Sequence, residues 1–135
     1  MSELKKTTLY IVLLLLALAG CDRHGSLKDP GAEGARYAAE YFYDLLARGQ
    51  AREYVDNMHE ASVMDSSKYV QFVDLMEQFL HEERLADGGI LSAKATRDTM
   101  ADSVAMVFMV VQFADSTCEE VMLPLVYTRG RWWIR

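Results

Sequence analysis

An α+β fold, with N-terminal helices packed on a bent antiparallel meander, follows from two features of the 135-residue sequence. Up to Gly89 the apolar residues recur at intervals of three and four, the spacing of one helical face, and beyond it they alternate at period two. The connections in the second half, Met100-Ala101-Asp102, Ala114-Asp115-Ser116 and Arg129-Gly130, are long enough for hairpins and too short for parallel crossovers.

Residues 1–20 read as an export signal. Lys5 and Lys6 precede an unbroken apolar run from Leu9 to Ala19, and small residues lead up to Cys21. Eleven residues make roughly 16 Å of helix, well short of the ~30 Å hydrocarbon core, so a stable transmembrane span is excluded. The tetrad Leu18-Ala19-Gly20-Cys21 resembles the lipobox of bacterial lipoproteins. That resemblance implies diacylglycerol on the Cys21 thiol, cleavage before Cys21, and anchoring in the bilayer by more than one acyl chain, which is effectively permanent. Export would then place the chain on the periplasmic face or the cell surface; Asp22 leaves inner against outer membrane undecided.

Residues 21–34 carry three Gly and one Pro with little apolar content, and read as a flexible tether holding a domain at 35–135. A first helix spans Ala35 to Ala47, with Ala35, Ala38, Tyr41, Phe42, Leu45 and Leu46 on one stripe, Glu40 and Asp44 on the other side, and Gly49 at its end. A second runs from Ala51 with Tyr54, Val55 and Met58. A third follows the cap signal Asp65-Ser66-Ser67, carries Tyr69, Phe72, Val73, Met76, Phe79 and Leu80, and stops at Asp87-Gly88-Gly89. Strands are expected over Ile90–Thr99, Ser103–Phe113, Cys118–Thr128 and Trp132–Arg135.

Charge and cysteine content narrow the function classes. The chain carries a formal charge of −6, and removing Lys5, Lys6 and Glu3 with the signal makes it −7, so with no basic stripe nucleic acid is not an expected partner. With Cys21 acylated, Cys118 is the remaining thiol, and no internal disulfide is available. Its neighbours Thr117, Glu119 and Glu120 supply neither a base nor a positive charge, so an inert, partly buried cysteine is expected. His24 in the tether is expected to be solvated, His81-Glu82-Glu83 lacks the second His of a zinc helix, and no cofactor or metal is expected.

The layout as a whole, from the lipobox through the helices to Asp102–Val107, Val121–Leu125 and the closing Gly130-Arg131-Trp132-Trp133-Ile134, resembles a family of small bacterial lipoproteins of unknown function. Through it the chain is similar to the nuclear-transport-factor-2-like (NTF2-like), or cystatin-like, superfamily. The resemblance implies a bent sheet wrapped around helices as a cone. Enzymes of that superfamily, isomerases and dehydratases among them, place an ionisable group inside the cone, and other members pair through the outer sheet face.

Such an enzyme needs a carboxylate, His or Tyr on an apolar face, and the acidic residues of the helices fall opposite the buried stripes. Catalysis in the cone is therefore the alternative, and a non-catalytic ligand- or protein-binding domain is the expectation. Tyr41, Tyr54, His59 and Trp132 are the candidate ligand contacts, and methionines such as Met58, Met76 and Met109 fill either a core or the wall of a site for an apolar small ligand. Both faces of the strands beginning at Val104 and Val121 are apolar, more than one helical layer covers. The outer face therefore folds under its own chain, pairs with a second copy, or meets another envelope protein, and self-association is favoured. Pro124 implies an edge or bulge, and Trp132 and Trp133 point to opposite faces.

Overall fold

The computed structural model describes residues 26–135. The export segment, Cys21 and His24 lie outside the described residues. Three helices, α1 (Ala32–Ala47), α2 (Ala51–Asp56) and α3 (Ser66–Asp87), precede four strands, β1 (Ile90–Ala101), β2 (Val104–Phe113), β3 (Cys118–Thr128) and β4 (Arg131–Ile134). The strands form one antiparallel sheet in the order β1-β2-β3-β4, the expected meander.

Helix α1 lies along the inner face of the sheet, chiefly over β1 and β2. Ala35, Ala38 and Ala39, all fully buried, present no bulk and let the helix axis approach the strands, while Phe42, Leu45 and Leu46 fill the space toward the far end. From the sheet, Ala105, Val107, Met109, Val111, Leu123, Leu125 and Trp132 meet them in one continuous core. Two register shifts, between Ile90 and Ser92 and between Ala95 and Arg97, interrupt the β1–β2 ladder and bend β1 around the helix. The second shift accounts for Glu40. This side chain, expected on the solvent side, instead accepts the Ala95 backbone N–H at 2.8 Å, supplying the partner that the irregular ladder withholds.

Helix α3 begins at the expected cap, where Asp65 accepts the Lys68 N–H at 2.8 Å, and ends at Gly88 with φ +85°, a left-handed position that glycine adopts without strain. It packs mainly on α2 and buries only Val73 and Leu80 fully, leaving Leu75 and Phe79 exposed. Pro124 sits where the β3–β4 pairing over Leu125–Thr128 gives out, next to the last bond on that side, in which its carbonyl accepts the Arg135 N–H at 3.0 Å, so at most one terminal ladder bond is lost to the missing N–H.

The folded unit reaches further toward the N-terminus than the tether and domain boundaries anticipate. Helix α1 starts at Ala32 rather than Ala35, and the segment before it is docked. The Leu27 carbonyl accepts the Trp132 backbone N–H at 2.9 Å, the Asp29 carbonyl accepts the Trp132 indole N–H at 2.7 Å, and the Lys28 carbonyl accepts the Tyr127 hydroxyl at 2.6 Å. Gly34 is required by this docking, since a Cβ there would lie 1.9 Å from the Asp29 carbonyl oxygen. With the Met58–Ile134 bridge beyond it, the segment covers the free edge of β4, which would otherwise offer unpaired backbone groups.

Candidate functional site

The interior of the sheet is filled. Trp132, Phe42, Met109, Leu125, Val55, Val107 and Val111 are all but inaccessible, and among the described residues no polar or charged side chain is buried. The four candidate contacts do not converge on a cavity. Trp132 is a core residue tied to Asp29, and Tyr54 is buried with its hydroxyl pKa pushed up, first by burial and then by Tyr43. Tyr41 lies half-buried on α1 between Tyr37 and Phe42, in contact with both rings. His59 is exposed, and its backbone N–H rather than its ring is engaged, donating to the Ile134 carbonyl at 2.7 Å. Cys118 is exposed rather than partly buried, because it sits on the outer-facing side of β3 opposite Gln112.

The outer face of the sheet has the properties the strand pattern anticipates. Cross-strand pairs put Val104 beside Val126, Met106 beside Pro124, Phe108 beside Met122 and Val110 beside Glu120. No helix among the described residues lies over them. Met122 is 47% exposed, Val110 37% and Met106 36%, values that core residues do not show. At one end of the stripe Arg97 stacks on the Phe108 ring, 4.1 Å from its centroid, and pairs with Glu120 at 3.3 Å. At the other end the Trp133 indole lies under the guanidinium groups of Arg131, at 4.0 Å, and Arg129, at 4.5 Å, and donates its N–H to the Thr128 carbonyl at 2.9 Å. Beside it opens a pocket of about 280 Å³ lined by Asp56, Met58, Ala61, Ser62, Tyr69, Arg129 and Trp133. Within that pocket the Tyr69 hydroxyl donates to Asp56 at 2.5 Å.

A third feature lies at the opposite end of the domain, where α3 meets the β2–β3 turn. Glu83 has its carboxyl pushed up to about 7, first by the hydrogen bond it shares with Asp87, then by burial and by the charges of Asp87 and Glu119. Between the ordinary 4.5 and about 7 the folded state keeps a proton that the unfolded chain has released, so stability falls as pH rises through that window and is highest on its acidic side. A Glu83→Gln substitution flattens this slope. Melting curves from pH 5 to pH 8 check it: the melting temperature of the wild type falls more steeply with pH than that of the variant, whereas identical slopes would clear Glu83 of the effect.

No protein-family model matches this chain, and no curated protein matches it. Solved structures do. A proposed NTF2-like transpeptidase from Campylobacter jejuni superposes with a TM-score of 0.60 at 15% identity, covering 72% of this chain and 93% of that one. A SEC-C motif containing protein from Rhodopseudomonas palustris matches at 14% identity and TM-score 0.46, over 68% of this chain and 67% of that one. A DUF4783 family protein from Bacteroides ovatus matches at 12% identity and TM-score 0.47, over 68% and 84%. The first comparison, with the helices and meander described above, establishes an NTF2-like α+β fold. At this identity the likeness extends to the fold alone.

The apolar outer face was legible as a surplus on both sides of two strands. The Trp133 platform was not, because its arginines are ordinary turn residues until the β3–β4 hairpin folds them over the indole.

Proposed function

We propose that this protein is a lipid-anchored lipoprotein of the cell envelope whose NTF2-like domain is a non-catalytic binding module, and that its outer sheet face pairs with a second copy. The observation that carries the binding reading is the uncovered stripe Met106, Phe108, Val110 and Met122 on a domain whose interior is already packed. The lipobox at Leu18–Cys21 supports the anchor. Catalysis in the cone has less support, since a general acid or base must sit where substrate reaches it, and the inner face presents aliphatic and aromatic side chains. The word transpeptidase belongs to the Campylobacter protein. Acyl transfer needs a nucleophile with a base in hydrogen-bond reach, and Cys118 has no hydrogen-bonded partner among the described residues.

Size argues for a weak pairing. Three long strands give a face about 35 Å by about 14 Å, on the order of 500 Å². Two such faces bury about 1,000 Å², the low end of specific interfaces, where micromolar affinity is ordinary. Anchoring both copies in one bilayer raises their effective concentration and compensates.

Sedimentation of residues 26–135 tests the pairing. The domain is expected to dimerise at tens of micromolar, and Met122→Lys, which places a charge at the centre of the stripe on an exposed site, is expected to keep it monomeric at the same concentration. A wild-type monomer at 100 micromolar, or a dimer indifferent to Met122→Lys, contradicts it.

A further inference from the structure

We infer that the β3–β4 hairpin, with Arg129 and Arg131 stacked on Trp133, is the surface that rests on anionic phospholipid and sets the orientation of the domain on the bilayer. This rests on the reading of Cys21 as the acylated residue. The geometry follows from the docked N-terminal segment. Leu27 is bonded to Trp132, the residue between Arg131 and Trp133, and Cys21 lies six residues before Leu27. Six residues span at most about 22 Å fully extended, so the lipid must lie within that distance of the edge of β4. A tether running over residues 21–34 would have left the domain free to face any direction; the docking of Leu27, Lys28 and Asp29 narrows that freedom.

The chemistry of this end matches a bilayer surface. Tryptophan and arginine are the side chains that settle at the headgroup level, the indole in the interface and the guanidinium on phosphate. Trp133 is held in place by its N–H bond to Thr128, and Arg131 by bonds to the Trp132 carbonyl at 3.1 Å and to the Asn57 side chain. Arg129 is exposed, and among the described residues neither arginine lies within ion-pair distance of a carboxylate, although Asp56 lines the adjoining pocket. The acidic residues Glu83, Asp87, Asp115 and Glu119 gather at the opposite end, around the β2–β3 turn, whereas at the hairpin end Asp56 lines the pocket beside Arg129 and Asp102 precedes Ser103, whose carbonyl accepts the Tyr127 N–H. An anionic membrane repels the β2–β3 end and attracts the hairpin, which gives one orientation.

Fluorescence of the full-length lipoprotein tests this. The purified protein, with its acylation read by mass, is reconstituted into vesicles of phosphatidylglycerol and phosphatidylethanolamine with brominated acyl chains. Trp132, wholly buried, provides an unquenched background, and Trp133 is expected to be quenched. The quenched fraction disappears in Trp133→Phe. Arg129→Gln with Arg131→Gln weakens the contact about twenty-five-fold, at about fivefold for each arginine near an anionic surface, and so removes most of the quenching; Arg129→Gln alone, at an exposed site, removes part of it. An acylated protein whose emission ignores the bromines overturns the orientation and leaves the anchor standing, as does quenching that the arginine variants leave unchanged. A mass without diacylglycerol on Cys21 overturns the anchor itself and the orientation with it.

Discussion

Trp132→Ala strongly destabilises the domain. The side chain is wholly buried, packs edge-on against Tyr127 at 5.3 Å between ring centroids, and donates its indole N–H to Asp29. Truncating a buried tryptophan costs about 3–5 kcal/mol, set against a total of about 5–15 kcal/mol for a domain. The substitution also loosens the segment that covers the edge of β4, because the Asp29 carbonyl loses its donor while the bonds to Leu27 and Lys28 stay. The expected result is a melting temperature lower by about 15 °C or more, at roughly 4 °C or more per kcal/mol for a domain of this size. Trp133→Ala, on the outer face, is the control and moves it far less. Thermal unfolding followed by circular dichroism reads both, and a Trp132→Ala variant that melts within a few degrees of wild type would show that the core closes without it.

The second large effect falls on Cys21→Ser. Serine cannot accept the thioether-linked diacylglycerol, so the acyl chains that make attachment permanent are never added. Expected in cells that process lipoproteins is loss of the protein from the washed membrane fraction and the appearance of an unprocessed or soluble form, with the folded domain unchanged. Membrane retention of Cys21→Ser that survives washing would remove the lipobox reading.

What the sequence made legible depended on how far apart the interacting residues lie. The stripes of α1, the cap at Asp65, the stop at Gly88 and the opposed directions of Trp132 and Trp133 are local properties of spacing, and the structure has them where the pattern places them. The docking of residues 27–29 is not local. Tyr127 and Trp132 reach their carbonyl partners across separations of 99 and 103 residues, and a stretch such as Leu27-Lys28-Asp29-Pro30-Gly31 carries no signal of it beyond one leucine. Glu40 escaped for a similar reason. A helical wheel places it away from the core, but the backbone N–H it accepts exists only because β1 is irregular at Ala95.

The candidate contacts show the same limit from another side. Aromatic residues on an apolar stripe read equally as core or as cavity wall, and the difference is whether neighbouring side chains fill the space. Here Met109, Leu125 and Phe42 fill it, so Tyr54 and Trp132 became core. The outer stripe was readable because no arrangement of a single helical layer hides both faces of β2, and it is the part of the sequence reading on which the functional proposal stands.

As proposed, the domain is anchored by lipid and works as a pair through its outer sheet face. Native mass spectrometry of the lipoprotein extracted in mild detergent tests both halves in one spectrum. The expected spectrum shows a dimer whose subunits carry the mass of the chain from Cys21 plus diacylglycerol, and in Met122→Lys a monomer that carries the same diacylglycerol. An acylated protein that is monomeric at every concentration, or a dimer that Met122→Lys leaves intact, would contradict it.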